Sequence, residues 1–121
     1  MSFLKTLFSL LSGGDSGSRL APEAFKLALD ESPRPVLVDV RTASEFKGGH
    51  IKGARNIDIT SSSFDKGIAS LAKDKPVLLY CRSSHRSGMA LSRMKASGFT
   101  QVRHLEGGIS AWQARNYSTA R

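Results

Sequence analysis

The sequence predicts an α/β fold: a central, mainly parallel sheet with helices on both faces. Three short apolar or β-branched runs, VLVDV at 36–40, VLLY at 77–80 and VRHL at 102–105, lack the polar alternation of a half-exposed sheet. Segments with helical start and stop signals separate them, and strands alternating with helices make a parallel sheet.

The elements follow in order. Pro22 and Glu23 open a helix, since proline suits the first turn and an acid there favours the dipole. It runs to about Asp30, with Phe25, Ala28 and Leu29 on its buried side, before Pro33 and Pro35 lead into the first strand. Thr42 to Lys47 form a short helix stopped by Gly48 and Gly49, and Ile51, Ala54 and Ile57 belong to an irregular stretch with a brief strand. Residues 61–72 read as a further helix, ending before Pro76. A helix over 87–97 follows the second strand, with Gly98 as its C-terminal cap. Gly107 and Gly108 turn the third strand into a last helix that holds Ile109 and Trp112.

Residues 1–18 stand apart from the domain expected over 19–121. Phe3, Leu4, Leu7, Phe8 and Leu11 recur at helical spacing, an amphipathic segment suited to packing on the domain or on a partner. SGGDSGS at 12–18 has the composition of a flexible linker. No apolar stretch approaches the roughly 18–20 residues needed to span a bilayer.

Composition narrows the chemistry. With 40% apolar and 23% charged residues in 121, the chain is long enough for one packed core and not for two. A single cysteine excludes an intrachain disulfide framework and a multi-cysteine zinc or iron–sulfur site. Such a thiol is easiest to maintain in a reducing compartment, so a cytoplasmic protein is expected. The net charge of +8 lies unevenly: residues 80–121 carry seven Lys/Arg against the single acid Glu106. A basic half of this kind attracts small anions, but no Lys/Arg run interleaved with aromatics and no nucleic-acid motif is present, so nucleic acid is not an expected partner. His104 falls in a strand, away from His50 and His85, which gives a three-histidine metal site little support; no metal or cofactor is expected.

In an open parallel sheet, ligands bind outside the carboxyl ends of the strands. The segment Cys81, Arg82, Ser83, Ser84, His85, Arg86, Ser87 leaves strand VLLY there and enters the helix expected near Ser87. A short loop so placed wraps its N–H groups around one point, and the helix N-terminus adds partial positive charge. With Arg82 and Arg86 beside it, Cys81 is favoured as thiolate, the nucleophilic form. Ser83 and Ser87 are candidate donors or helix caps, and His85 a titratable neighbour. Asp39 and Arg41, after the first strand, are candidates for the pocket rim or for a structural ion pair. His50, in a glycine-flanked turn, and Trp112 read as structural.

Three motifs in this order resemble those of the rhodanese family. They are Asp39-Val40-Arg41 with Glu45-Phe46 and Gly49-His50-Ile51-x-Gly53-Ala54-x-Asn56-Ile57; Tyr80-Cys81-Arg82-Ser83 with Arg86-Ser87; and Leu105-Glu106-Gly107-Gly108-Ile109 with Ala111-Trp112. The resemblance covers about residues 19–117. It implies a rhodanese-like sheet of about five parallel strands and a sulfurtransferase in which Cys81 accepts a sulfane sulfur from a small anionic donor such as thiosulfate. The resulting persulfide then passes its sulfur to cyanide, a thiol or a protein acceptor. It also implies that Arg82 to Arg86 cradle the persulfide. The chain departs from many single-domain members in having Ser84 and His85 where they carry glycine and often asparagine, so a strained or differently turned loop is expected. A cysteine phosphatase or arsenate reductase, built on C-x5-R, fits less well, because the residue at that spacing is Ser87. A noncatalytic binding module is disfavoured by the intact Cys81, while a sulfur relay to a partner protein is compatible with it.

Overall fold

Five strands and five α-helices alternate through residues 17–121, the part of the chain that the computed structural model describes. In order they are β1 (Arg19–Leu20), α1 (Pro22–Ala28), β2 (Val36–Asp39), α2 (Ala43–Lys47), β3 (Arg55–Asn56), α3 (Phe64–Ala69), β4 (Val77–Tyr80), α4 (His85–Ala96), β5 (Val102–Leu105) and α5 (Gly108–Ala114). The strands form one sheet in the order β1-β5-β4-β2-β3, and every neighbouring pair is parallel. The amphipathic segment expected over 1–11, and residues 12–16 of the linker, lie outside the described residues.

Alternation of side chains along the central strands decides what packs where. Successive residues of a strand point to opposite faces. Val77 and Leu79 of β4 therefore join one core cluster, with Val38 of β2, Phe64 and Ile68 of α3, and Leu91 and Met94 of α4. Leu78 and Tyr80 join the other, with Leu37, Phe25 of α1, and Ile109 and Trp112 of α5. A β4 buried along its whole length is the physical meaning of its unbroken apolar sequence. Trp112 is a core aromatic: its ring meets Phe25 edge-on at 6.2 Å and its Nε1–H donates to the Ser118 carbonyl.

Several expected boundaries move for local reasons. The helix expected over 61–72 contracts to α3, because Ser61 and Asp58 accept from the N–H groups of Ser63 and Thr60 and hold that stretch in turns. Thr42 lies outside α2 as its N-cap, in a reciprocal capping box with Glu45. α1 ends at Ala28, two residues before Asp30, and Leu29 and Asp30 form a turn. β1, two residues pairing with His104 and Leu105, is too short to announce itself in sequence. Among the described residues, no helix is long and apolar enough to cross a membrane.

An ion pair locks the exit of β2. Asp39 is fully buried, and its carboxylate accepts from the Arg41 backbone N–H at 2.9 Å, from Nε and, at 2.7 Å, from Nη2. Arg41 Nη2 also donates to the Gly49 carbonyl, tying β2 to the segment after α2. Removing one partner of such a pair strands a charge in the interior, which costs about 3–5 kcal/mol. Asp39→Ala is therefore expected to lower the unfolding free energy by about that amount, as read from urea denaturation at neutral pH.

Candidate active site

Cys81 is the first residue beyond β4, and alternation sends its side chain the way of Val77 and Leu79, toward α4. It is 1% exposed and is a free thiol. The loop that follows is clasped by the first turn of α5. Ile109 N–H donates to the Cys81 carbonyl at 2.9 Å and Ser110 N–H to the Arg82 carbonyl at 3.1 Å. Gly107 N–H donates to Ser84 Oγ at 2.8 Å. Gly107 and Gly108 make this approach with φ of 78° and 59°, and a Cβ at Gly108 would overlap the Arg82 carbonyl group.

The helix after the loop starts two residues earlier than the sequence suggested. Ser84 takes the N-cap position; its carbonyl accepts from Gly88 N–H at 2.9 Å and from Ser87 Oγ at 3.1 Å. The loop is thus four residues, 81–84, and His85, Arg86 and Ser87 are the first turn of α4. Ser84 has a φ of 164°, extended backbone, so the left-handed strain expected at this position is absent. Its hydroxyl also contacts the Ser83 carbonyl.

Behind the sulfur runs a buried polar chain. Cys81 Sγ lies 3.5 Å from Ser87 Oγ, and Ser87 Oγ lies 2.8 Å from His104 Nδ1. Ser87 is fully buried and His104 is 4% exposed. Burial lowers the His104 pKa, helped by Arg19 and Lys95 and opposed by Glu106, so the imidazole is neutral near pH 7.

In front of the loop the charges are paired. Arg86 Nη1 and Nη2 donate to the two carboxylate oxygens of Glu45 at 2.7 and 3.0 Å. The guanidinium, with the Thr42 backbone and hydroxyl, holds the Glu45 pKa down to about 2, against the opposing effect of burial. The Arg86 guanidinium is therefore committed to Glu45, while it still interacts electrostatically with Cys81. Arg82, Ser83 and His85 are exposed. Two shallow hollows flank the loop: one of about 440 Å³ lined by Arg19, Ser84, His85, Lys95 and His104, and one of about 330 Å³ lined by Arg41, Glu45, Arg82, Ile109 and Gln113.

The structure brings together Cys81, Ser84, Arg86 and Ser87 on one side of the sheet end. Arg41 lines the second hollow, whereas Asp39 is turned into the interior. His50 stacks on Phe46 with ring centroids 3.9 Å apart, and its Nδ1 bonds the Phe46 carbonyl, a structural placement. Reading the sequence left His104 and Glu45 out of the site. His104 shares the parity of Val102, which points it at α4, and Glu45 stands three residues after Thr42, the spacing of a capping box.

Comparison with known proteins places this arrangement. The Rhodanese-like domain profile matches residues 21–115. The uncharacterized protein YqhL of Bacillus subtilis is 45% identical over 76 residues, covering 63% of this chain and 59% of YqhL, so the chain spans less than two thirds of that relative. The thiosulfate sulfurtransferase GlpE of Pseudomonas putida is 37% identical over 97 residues, covering 79% of this chain and 84% of GlpE. Among solved structures, the rhodanese-like domain of the Anabaena Alr3790 protein superposes with a TM-score of 0.76 at 28% identity, covering 85% of this chain and 78% of that one.

Two outcomes follow from the geometry. Gly108→Ala is expected to destabilise the fold by about 1–3 kcal/mol, measured by urea denaturation, because the new Cβ forces α5 and the loop apart. Glu45 is depressed when folded, so its contribution is present above its ordinary value of 4.5 and is lost as pH falls toward about 2. The stability difference between wild type and Glu45→Gln is therefore expected to be constant from pH 7 to 5 and to shrink below about pH 4.5, in parallel denaturation series.

Proposed function

The chain belongs to the rhodanese-like domain family, and on that premise we propose that it carries a sulfane sulfur as a persulfide on Cys81. The donor in this reading is a small sulfur anion such as thiosulfate, and the acceptor is cyanide, a thiol or a protein cysteine. The observation that carries it is Cys81 Sγ at the head of a four-residue loop, 3.5 Å from the Ser87 hydroxyl in the first turn of a twelve-residue helix. The activity named for the Pseudomonas putida relative supports the same reading.

The thiolate sulfur of Cys81 attacks the outer sulfur of thiosulfate. A bond forms between the two sulfurs, and the bond to the sulfonate sulfur breaks, its electron pair leaving with sulfite. The terminal sulfur of the persulfide is then attacked by the acceptor, and its bond to Sγ breaks to return the thiolate. With cyanide or a thiolate as acceptor no proton moves in either step, and a thiol acceptor loses its proton to solvent before it attacks, so the chain's task is to stabilise negative charge. The first N–H groups of α4 have no intrahelical partners and, with the helix dipole, favour an anion at the loop. The exposed Arg82 adds positive charge at the loop, while the Arg86 guanidinium, paired with Glu45, acts on Cys81 only at short range.

Residues 19–121 form the sulfur-carrying domain in this reading, and residues 1–18 an appended segment. A free thiolate nucleophile persists best in a reducing compartment, so the cytoplasm is the proposed location.

Incubation with thiosulfate is expected to add the mass of one sulfur atom, which cyanide removes with release of thiocyanate. Cys81→Ser is expected to abolish both. Wild-type protein that gains no sulfur from thiosulfate or polysulfide overturns the reading, and release of phosphate from an aryl phosphate at a comparable rate would replace it with a phosphatase.

A further inference from the structure

Cys81 and His104 stand at the ends of adjacent strands, both facing α4, and the Ser87 hydroxyl contacts both. A hydroxyl has one proton to donate and can accept two. Three neighbours compete for it: the Ser84 carbonyl at 3.1 Å, which can only accept, His104 Nδ1 at 2.8 Å, and the sulfur at 3.5 Å. The imidazole decides the outcome. If Nδ1 is bare, it takes the Ser87 proton at the shortest of these distances, and the sulfur gets none. If Nδ1 carries the proton of the neutral ring, it fills one lone pair of Ser87 Oγ, and the hydroxyl proton is free to turn.

We propose that His104 is a positioning residue for Cys81: its Nδ1–H donates to Ser87 Oγ, and the Ser87 hydroxyl turns its own proton from the Ser84 carbonyl to the sulfur whenever that sulfur is a thiolate. This rests on the persulfide reading for its purpose, since thiolate is the form that starts loading and the form released by unloading. The move is a rotation about one C–O bond, with no bond made or broken. The thiol proton itself leaves to solvent.

The surroundings favour a neutral ring that acts by hydrogen bonding. Arg19 on β1 and Lys95 on α4 act on His104 as cations, Glu106 beyond β5 opposes them, and His85 shares the same hollow. Around Cys81 the charged groups are Arg86, itself paired with Glu45, and the Arg82 side chain on the loop; the Asp39–Arg41 pair stands at the end of the neighbouring strand. A neutral donor buried at this point directs Ser87 without adding a second charge to the interior.

The test is iodoacetamide alkylation of Cys81 in the full-length chain from about pH 5 to 10, on wild type, His104→Leu, His104→Asn, Ser87→Ala and the His104→Leu/Ser87→Ala double variant. Losing a hydrogen bond to an anionic sulfur is expected to slow alkylation at pH 7 about tenfold in His104→Leu and in Ser87→Ala, with the high-pH plateau unchanged. His104→Asn, whose amide N–H can replace Nδ1–H, is expected to stay within about twofold of wild type. The double variant is expected to be no slower than Ser87→Ala alone, because the two residues act in series. Urea midpoints establish that each variant is folded, and His104→Ala replaces His104→Leu if the latter is not. Wild-type alkylation in the leucine or alanine variant, additive effects in the double variant, or an asparagine variant as slow as leucine would each overturn the assignment. Sulfur uptake from thiosulfate separates the two readings: a wild type that takes up no sulfur sinks the persulfide, while the alkylation profiles still report on His104.

Discussion

The site depends on a clasp of backbone on backbone. Two N–H groups at the start of α5 reach the carbonyls of Cys81 and Arg82, and a third reaches Ser84 Oγ. Turning those carbonyls toward α5 gives the loop one fixed geometry, with Ser84 Oγ the one loop side chain that joins the clasp. The approach is close enough to exclude a Cβ at Gly108, and it needs positive φ at two successive residues. That is the physical content of the paired glycines 107 and 108. The turn into the last helix and the shape of the loop around Cys81 are one feature.

Parity does the remaining positioning. β4 and β5 are parallel neighbours in register, with Leu79 opposite His104. Because alternation carries Cys81 and His104 to the same face, both meet the first turn of α4, and Ser87 falls between them. A shift of β5 by one residue would turn Arg103 toward the sulfur and His104 toward α1 and α5. The apolar residues that share this parity, Val77, Leu79 and Val102, are buried against α3 and α4. Core packing therefore specifies the register that brings the polar chain together.

This explains what could be read in the sequence. The strand at 77–80 was legible because burial on both faces forces an unbroken apolar pattern, those at 36–40 and 102–105 because their residues lack strict polar alternation, and the end of VLLY gave the loop its place. The start of α4 was not: His85 and Arg86 are neutral as helix signals, and the cap is the Ser84 carbonyl, a group every residue owns. β1 was hidden because two residues carry no period. His104 looked like a stray histidine in a strand, since its meaning lies in a contact with Ser87, seventeen residues away in sequence. Glu45 stood in the sequence only as part of a motif; its capping-box spacing from Thr42 is local, but its pairing with Arg86 across 41 residues is a property of the folded chain alone.

The Arg86–Glu45 pair bears on how the loop would hold an anion. A guanidinium matched to a carboxylate through two hydrogen bonds has little net charge at a distance, so its field at the sulfur is that of a dipole. The formal excess of seven basic residues over one acid in residues 80–121 thus overstates the attraction at Cys81. In the proposed reading, neutral donors would carry more of the weight: the first N–H groups of α4, the helix dipole behind them, and the Ser87 hydroxyl. These are oriented groups that act over a few ångströms and fade in bulk solvent. A site built this way would hold a small anion by fit to a few fixed donors, drawing less on long-range charge than the basic composition suggests.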